Sequence, residues 1–169
     1  MSTNTENLVL TDIQIRQKIR RIAYEIYENN YSEKELILAG IIDHGYELAR
    51  CIADMLTEIS PIKVKLIHID LDKLAPTQSE ITLDCKIEDV KNKVVILVDD
   101  VLNTGRTLAY SLKPFLNVKI KRLEIAVLVN RSHTQFPMYS KYTGYELATT
   151  INEHVKVDLK GKKYSVILQ

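Results

Sequence analysis

The sequence predicts an α/β fold in which a mainly parallel β-sheet is flanked by helices and a small hood lies in the C-terminal third. Three observations support this prediction. Apolar, strand-like segments alternate with amphipathic, helix-like segments along most of the chain. The 169 residues suffice for one hydrophobic core. The last third contains short extended segments separated by glycines, so we expect residues 1–169 to form a single domain.

Composition argues against several functional classes. The net charge of +1 gives no general attraction to nucleic acid or to membranes, and 46% hydrophobic residues are ordinary for a globular protein. Cys51 and Cys85 show no metal-binding or disulfide spacing. The sequence shows neither a signal peptide nor a run of about 18 apolar residues. We therefore expect a cytoplasmic protein with no membrane contact and a flexible N-terminus over residues 1–9.

The first half of the chain alternates between helix and strand patterns. Thr11 and Asp12 can cap a helix that runs to about Asn29, because its apolar residues recur on one face. The following segments predict a strand over 36–41, a helix over 46–56, a strand over 64–71, a lid-like excursion over 72–80 and extended structure over 81–87.

The second half continues this alternation. Residues 94–98 are apolar and mostly β-branched, which is typical of a strand buried on both faces. Pro114 opposes the continuation of a helix that begins near Thr107. The remaining predicted elements are the helix over 107–112 and strands over 123–129, 142–147, 155–159 and 164–168.

Two adjacent carboxylates, Asp99 and Asp100, directly follow the strand over 94–98. Open α/β sheets bind ligands in the crevice beyond the carboxyl ends of their strands. Carboxylates at that edge can accept hydrogen bonds from vicinal sugar hydroxyls, either directly or through water and a divalent cation. An Asp-Asp pair by itself is more often only a solvated turn.

Residues 104–107, Thr-Gly-Arg-Thr, predict a phosphate-binding turn, which we call the phosphate loop. Gly105 permits close approach of the backbone, and the threonine hydroxyls add donors. Free amides at the start of the following helix attract anions. A Thr-Gly-x-Thr turn alone is a common loop. Behind a buried strand and a pair of carboxylates, however, it describes a site for a ribose 5-phosphate group.

Residues 94–107 together resemble the phosphoribosyl diphosphate (PRPP) signature of type I phosphoribosyltransferases, namely four apolar residues, Asp-Asp, two apolar residues, any residue and Thr-Gly-x-Thr. The resemblance implies the type I phosphoribosyltransferase-like fold and a reaction with PRPP. It also implies Mg²⁺, carried by PRPP and reaching the catalytic residues Asp99 and Asp100 through water rather than a direct protein metal site. The implied PRPP-binding residues are Asp99, Asp100, Val101, Leu102, Asn103, Thr104, Gly105, Arg106 and Thr107.

Outside this signature, residues 10–159 most resemble the pyrimidine operon attenuator/uracil phosphoribosyltransferases. The loop that holds pyrophosphate in that family reads Lys-Thr-Arg-Gly, where this chain has Ile42, Asp43, His44 and Gly45. We call these four residues the pyrophosphate loop. Because two cationic side chains are missing, we expect weaker pyrophosphate binding, through backbone amides and a protonated His44.

The resemblance also implies contacts to the base or nucleotide by Arg131, Tyr142 and Thr143. Residues 127–133 resemble the family's Leu-Val-Asp-Arg-Gly-His and keep its arginine as Arg131. Residues 141–145 correspond to Asp-Phe/Tyr-Val-Gly-Lys, the edge at which the family recognises the base. Tyr142 would stack on the base or wall it, and ordinary core packing is the alternative interpretation.

The chain departs from the family's RNA-binding pattern. Attenuators use a Thr and a His on the first helix for RNA, and basic residues follow their Arg-Gly-His stretch. The corresponding residues here are Arg20, Tyr24, Thr134, Tyr139 and Tyr145. Because cationic contacts to phosphates supply most RNA affinity, we do not expect the attenuator role. The basic face of the first helix could touch RNA, but a solvated surface is the simpler interpretation.

The resulting hypothesis is a phosphoribosyltransferase that transfers ribose 5-phosphate from PRPP to a nitrogenous base. Uracil is the expected base, which gives UMP and pyrophosphate in nucleotide salvage. The alternative is a regulator of pyrimidine metabolism that senses nucleotide or PRPP with little or no transferase activity, and the cation-poor pyrophosphate loop motivates it. Family members usually assemble as dimers or larger oligomers, so the resemblance implies a homo-oligomer.

Overall fold

The computed structural model describes residues 7–75, 77 and 80–169. It confirms the predicted α/β fold with a mainly parallel sheet. The strands are β1 (Asn7–Leu10), β2 (Glu35–Ile41), β3 (Lys63–Asp70), β4 (Thr82–Leu83), β5 (Val94–Leu102), β6 (Arg122–Asn130), β7 (Tyr142–Glu146), β8 (Val155–Asp158) and β9 (Ser165–Leu168). The helices are α1 (Asp12–Asn30), α2 (His44–Ile59) and α3 (Arg106–Ser111), with 3-10 helices over Ile87–Val90 and Lys113–Asn117.

The main sheet has six strands in the order β4-β3-β2-β5-β6-β7. Only β4 is antiparallel to its neighbour, and the pairs from β3 through β7 are parallel. The carboxyl ends of β2, β3, β5 and β6 consequently meet at one edge, which we call the carboxyl edge. The segments that follow these strands include the pyrophosphate loop and the phosphate loop, so the sheet topology brings both to the same place.

Helix α1 begins where the sequence predicts it, because Thr11 and Gln14 form a reciprocal capping box. Helix α1 and α2 cover one face of the sheet and share a core cluster with the hood residues Val157 and Val166. The 3-10 helices and α3 cover the other face around Phe115. The strands between them are almost continuously apolar because both faces are buried. Among the described residues, no helix has the length and apolar character needed to cross a membrane.

The hood is a separate three-stranded antiparallel sheet in the order β1-β9-β8. Its middle strand lies near the C-terminus, as expected, but one edge strand comes from the N-terminal end of the chain. The expectation of a flexible N-terminus does not hold for residues 7–9, which belong to β1, where Asn7 and Leu8 pair with β9. Residues 1–6 lie outside the described part of the chain. Hydrogen bonding to β9 orders β1, and no local pattern in a four-residue segment specifies that partner.

Two further predictions need correction. Extended structure over 81–87 reduces to the two-residue strand β4, and Ile87 already begins a 3-10 helix. Strand β5 does not end before the two carboxylates, since its parallel pairing with β6 continues to Leu102. Residues 76, 78 and 79 of the predicted excursion over 72–80 lie outside the described residues, and residues 72–75 include a turn closed by the Ala75 amide on the Asp72 carbonyl.

Candidate active site

Asp99 and Asp100 form the floor of the candidate site at the carboxyl edge. Asp99 pairs with Val127 of β6 and is only 3% exposed. Its Oδ1 accepts a hydrogen bond from the Asp100 amide at 2.9 Å, and Asp100 Oδ1 accepts one from the Val101 amide at 2.9 Å. Burial raises the pKa of Asp99, and the neighbouring charge of Asp100 raises it further. The regular pairing of β5 therefore fixes both carboxylates, and the charge of the buried Asp99 is not fully stabilised.

Lys73, in the turn that follows β3, supplies the opposing charge. Its Nζ lies 3.1 Å from Asp99 Oδ1 and 3.9 Å from Asp100 Oδ1. Burial by itself would lower the pKa of Lys73, but attraction by Asp99 and Asp100 raises it. The side chain is 33% exposed, so the ammonium stands at the boundary between the buried carboxylates and solvent.

The phosphate loop turns sharply between β5 and α3. Gly105 has φ of 85°, and a Cβ at that position would lie 3.1 Å from Met138 Cγ and 3.2 Å from the Phe136 carbonyl oxygen. Glycine is thus required both by conformation and by close packing. The Thr104 hydroxyl accepts a hydrogen bond from the Arg106 amide at 3.3 Å. Because α3 spans only six residues, an anion at this turn would be held by loop amides and hydroxyls rather than by a long helix dipole.

A cavity of about 210 Å³ opens between these groups. Its polar lining joins one carboxylate, one ammonium and the threonine-rich turn, so it combines acceptors for sugar hydroxyls with donors for a phosphate. The lining consists of Lys73, Asp99 and residues 101–108. The structure therefore brings together the carboxylates and the phosphate loop that the sequence predicted as one site.

The pyrophosphate loop adjoins the same floor. A Cβ on Gly45 would lie 2.9 Å from the Val98 carbonyl oxygen and 3.0 Å from Asp99 Oδ1, so only glycine lets the loop approach β5 this closely. The Ile42 amide donates to the Ile69 carbonyl, which ties the loop to β3. Asp43 has φ of 66° and ψ of −117°, a conformation that a non-glycine residue adopts only with strain.

His44 faces the hood. Its Nδ1 accepts a hydrogen bond from the Leu159 amide at 3.3 Å, so in this geometry the ring proton belongs on Nε2. The expected role for a protonated His44 would require this acceptor bond to break. In the observed arrangement, a neutral ring can still donate Nε2–H to an anion.

Comparison with known proteins identifies the family to which this fold and this site belong. Residues 9–162 match the phosphoribosyl transferase domain family. The chain belongs to this family. It is 38% identical over 165 residues to the bifunctional protein PyrR of Clostridium acetobutylicum, a match that covers 94% of this chain and 93% of the relative. It is 34% identical over 164 residues to the PyrR of Staphylococcus epidermidis, covering 92% and 93% respectively. The predicted resemblance is confirmed.

Solved phosphoribosyltransferase structures share the fold of this family member. A hypoxanthine phosphoribosyltransferase from Trypanosoma cruzi superposes with a TM-score of 0.75 at 17% identity, over 88% of this chain and 84% of that one. A hypoxanthine-guanine phosphoribosyltransferase from Bacillus anthracis gives a TM-score of 0.71 at 18% identity, over 84% and 82%. At such low identity these likenesses establish the fold alone.

Arg131 is committed to protein contacts. It is 4% exposed, and its guanidinium donates to the Thr149 hydroxyl at 2.9 Å and to the Glu153 carbonyl at 2.5 Å. It also donates to Asn103 Oδ1 at 3.2 Å. The guanidinium of Arg131 is therefore not free for the expected contact to the base or nucleotide. The arginine instead fastens the segment after β7 to the start of the phosphate loop.

Tyr142 does not lie at the site, which corrects the expected base contact. The side chain is 1% exposed, and its hydroxyl donates to Glu124 Oε2 at 2.7 Å, toward the amino end of β6. The core-packing alternative is therefore the one the structure supports. Thr143 is half-buried, and its carbonyl accepts from the Arg21 guanidinium at 3.1 Å. Neither residue borders the cavity.

Lys73 is a functional candidate that no sequence motif singles out, although its ammonium pairs with Asp99 and lines the cavity. Its position depends on the chain returning over the carboxyl edge after β3, and no local motif marks that return. A weak signal was available: a lysine soon after a strand that neighbours the pyrophosphate-loop strand in a parallel sheet must lie near the same edge.

The donor set suits a magnesium ion that arrives with a substrate. Asp99 lines the cavity and Asp100 follows it on β5, and oxygen ligands are those Mg²⁺ prefers. Among the described residues, no group of three or more His, Cys, Asp and Glu side chains could hold a metal by itself. Two carboxylates and the phosphates of a ligand together would complete the oxygen shell that the protein alone lacks.

The basic face of α1 is already engaged within the protein. Arg16 pairs with Asp12 at 2.9 Å and lies over the Tyr164 ring, and Arg21 pairs with Glu25 at 2.6 Å. These contacts occupy part of the charge that an RNA backbone would use. They favour the interpretation of this face as a solvated surface.

Proposed function

We propose that this protein transfers ribose 5-phosphate from PRPP to uracil, forming UMP and pyrophosphate. The observation that carries the proposal is the cavity at the carboxyl edge, in which the buried Asp99 and the phosphate loop line one space. Membership of the phosphoribosyl transferase family and similarity to PyrR proteins over more than nine tenths of the chain support it. The identity of the base comes from the resemblance to the pyrimidine operon attenuator/uracil phosphoribosyltransferases and not from the cavity.

The transfer requires positioning rather than a protein nucleophile. A ring nitrogen of the base attacks the anomeric carbon and gives up its proton to the solvent or the departing pyrophosphate. The bond to the diphosphate oxygen breaks, and pyrophosphate leaves with that electron pair. Asp99 and Asp100 would accept hydrogen bonds from the ribose hydroxyls while residues 104–107 hold the 5-phosphate. Fixing both ends of the ribose presents the anomeric carbon to the base.

Charge stabilisation would come from the carboxylates, from Mg²⁺ and from the pyrophosphate loop. The transition state carries positive character at the anomeric carbon, and nearby carboxylates oppose that charge. Mg²⁺ bound to PRPP would neutralise part of the diphosphate charge. The pyrophosphate loop would add backbone amides and the Nε2–H of His44, while its strained Asp43 and close-packed Gly45 keep the backbone against β5.

The direct test mixes the protein with PRPP, Mg²⁺ and each of several bases, and follows nucleotide and pyrophosphate together. Equal amounts of UMP and pyrophosphate with uracil are expected. Turnover with another base alone would replace the base assignment, and no turnover with any base would reject the transferase.

The carboxylate assignment has its own test. Asp100→Asn should weaken PRPP binding by about tenfold or more, because a carboxylate that accepts hydroxyl hydrogen bonds becomes a partial donor. Titration calorimetry measures the affinity, and Asp54→Asn is a matched control on the exposed face of α2, where the side chain is 73% exposed. Unchanged PRPP affinity in Asp100→Asn would show that the assignment is wrong.

A second candidate function is a nucleotide-sensing regulator with little transferase activity. The observation in its favour is the pyrophosphate loop, which has no Lys or Arg among Ile42, Asp43, His44 and Gly45. Tight UMP binding without turnover on any base distinguishes this sensor from the enzyme.

The proposal also covers two macromolecular partners, namely further copies of this chain and RNA. We expect a homodimer or larger oligomer, which light scattering after size exclusion measures. We do not expect specific RNA binding, because the cations of α1 are partly paired within the protein. Tight, sequence-specific binding of pyrimidine leader RNA at physiological salt in a filter assay would overturn that expectation.

A further inference from the structure

Lys73 occupies the space in which the proposed substrate must be held. Its Nζ lies 3.1 Å from Asp99 Oδ1 and 3.9 Å from Asp100 Oδ1, and it lines the same cavity as the phosphate loop. A ribose hydroxyl or a hydrated Mg²⁺ that reaches these carboxylates must therefore displace the ammonium. Lysine is suited to such an exchange, since a flexible four-carbon stem carries its point charge.

The distribution of charge around the cavity indicates where the ammonium goes. Arg106 is the other cationic side chain of the lining, and it belongs to the phosphate loop. The pyrophosphate loop offers no lysine or arginine. It meets Lys73 at one atom, because Asp99 Oδ1 lies 3.1 Å from Lys73 Nζ and 3.0 Å from where a Cβ on Gly45 would stand. A diphosphate bound at that loop would thus have Lys73 as its neighbouring protein cation.

We propose that Lys73 is a diphosphate-binding residue that exchanges partners, pairing with Asp99 and Asp100 in the free protein and with the diphosphate of the bound substrate. The inference rests on the proposed function, because it needs the carboxylates to receive the ribose. It assigns to a residue after β3 the positive charge that the pyrophosphate loop does not provide.

The position of Lys73 allows this exchange of partners. When the substrate enters, the ribose hydroxyls donate hydrogen bonds to the carboxylates and replace Lys73 there. Phosphate oxygens of the same substrate then become available to the ammonium nearby. The side chain is 33% exposed and leaves a turn rather than a strand, so it can swing without disturbing the sheet. Departure of pyrophosphate would return the ammonium to the carboxylates.

Partner exchange predicts opposite effects on two ligands. Pyrophosphate uses Lys73 as a donor, so its binding should weaken when the ammonium is removed. Ribose 5-phosphate competes with Lys73 for the carboxylates, so its binding should strengthen. A lysine that only stabilises the fold would change both affinities in the same direction.

The experiment measures the binding of inorganic pyrophosphate and of ribose 5-phosphate separately, each with Mg²⁺, by titration calorimetry. Lys73→Met should weaken pyrophosphate binding by about tenfold or more and tighten ribose 5-phosphate binding severalfold. Lys73→Arg should keep pyrophosphate affinity within about threefold because it retains the charge. Lys73→Gln serves the same purpose should the methionine variant fail to fold.

Lys65→Met is the matched control. Lys65 lies on β3, and its Nζ pairs with Asp89 at 3.0 Å outside the cavity, so both affinities should remain those of the wild type. Unchanged pyrophosphate binding in Lys73→Met, or weaker ribose 5-phosphate binding, overturns the inference while leaving the transferase intact. Wild-type protein that binds neither PRPP nor ribose 5-phosphate overturns the proposed function and the inference with it.

Discussion

Two buried carboxylates lie toward opposite ends of the neighbouring strands β5 and β6, and each pairs with a lysine. They differ in how many other hydrogen-bond donors surround them. At the carboxyl edge, Asp99 has a 4% exposed side chain and pairs with Lys73 at 3.1 Å. Toward the amino end of β6, Glu124 has a 2% exposed side chain and pairs with Lys141 at 2.7 Å. Glu124 also accepts hydrogen bonds from the Tyr142 hydroxyl at 2.7 Å and from Asn30 Nδ2 at 3.2 Å. The local burial is similar, but the number of donors differs.

The two pKa values move in opposite directions as a result. Burial would raise the pKa of Glu124, but hydrogen bonds from Lys141, Tyr142 and Asn30 hold it below its usual value. Burial and Asp100 raise the pKa of Asp99 despite Lys73. Glu124 is a carboxylate whose charge the protein itself stabilises, whereas the charge of Asp99 is poorly compensated within the protein, which is typical of a ligand site. This difference separates a structural cluster from a ligand site.

The largest expected effect comes from breaking the structural cluster. Glu124→Gln should lower the free energy of unfolding by about 3 kcal/mol, because the new amide group faces buried donors and lacks the charge that they stabilise. Urea unfolding measures the loss, with the partly exposed Glu25→Gln on α1 as a control that changes little. A loss below about 1 kcal/mol would mean that the hydrogen bonds to Glu124 stabilise its charge less than their distances suggest.

The corresponding change at the site should have the opposite sign. The folded-state pKa of Asp99 is raised from 3.8 to about 8, so the stability associated with its protonated form is complete below the unfolded pKa. That stability is lost as pH rises through the window up to about 8. Asp99→Asn removes this titration and should gain about 1 to 2 kcal/mol near pH 9 relative to wild type, with a smaller gain near pH 5.

Unfolding of both proteins at the two pH values tests this expectation. The relevant quantity is the difference between variant and wild type, because other groups titrate equally in both. A gain that shrinks as pH rises would show that Lys73 compensates Asp99 more fully than burial and Asp100 oppose it.

A smaller effect on stability is expected from removing Lys141 or Lys73, the lysines that pair with the two carboxylates. Lys141→Met should cost about 1 kcal/mol of unfolding free energy, a value discounted because the side chain is 38% exposed. Lys73→Met should cost less than about half of that, because Asp99, whose pKa is already raised, can take up a proton once the ammonium is gone. Equal losses in the two variants, measured by thermal and urea unfolding, would remove the distinction between the two edges.

The smallest expected effect concerns backbone strain. Asp43 at the carboxyl edge has φ of 66° with ψ of −117°, whereas Asn92, before β5, has φ of 60° and is a residue type that tolerates left-handed conformations. Asp43→Gly should therefore gain about 0.5 to 1 kcal/mol, and Asn92→Gly should change stability by only a few tenths. Calorimetric melting compares them, and an unstabilised Asp43→Gly would indicate that the pyrophosphate loop is not strained.

Local patterns were sufficient for most of the sheet and for placing the two carboxylates directly before the phosphate loop. Strands buried on both faces leave continuous apolar runs, and helix α1 carries its start signal in Thr11 and Gln14. The carboxylates and the phosphate loop are contiguous in sequence, so one strand and its turn hold them together. The boundary error at β5 arose because polar residues can continue a strand when its neighbour still offers hydrogen-bonding partners.

The base-binding assignments fared differently because they depend on distant partners. Tyr142 follows a family-like pattern, yet the buried acceptor Glu124 and the donor Asn30 hold its hydroxyl toward the amino end of β6. Arg131 keeps a family-like position, yet carbonyls after β7 hold its guanidinium. Sequence similarity indicated the positions of these side chains along the chain, but their orientation depends on tertiary contacts.

The sequence by itself determined the fold class, the strand that carries Asp99 and Asp100, and the adjoining phosphate loop, since all depend on residues close together in the chain. Only the tertiary structure decided that β1 completes the hood and that Lys73 returns to the carboxylates across the carboxyl edge. Both results depend on pairing between segments far apart in sequence. Electrostatic interaction acts through space, so the partner of a buried charge becomes visible only when the chain has folded.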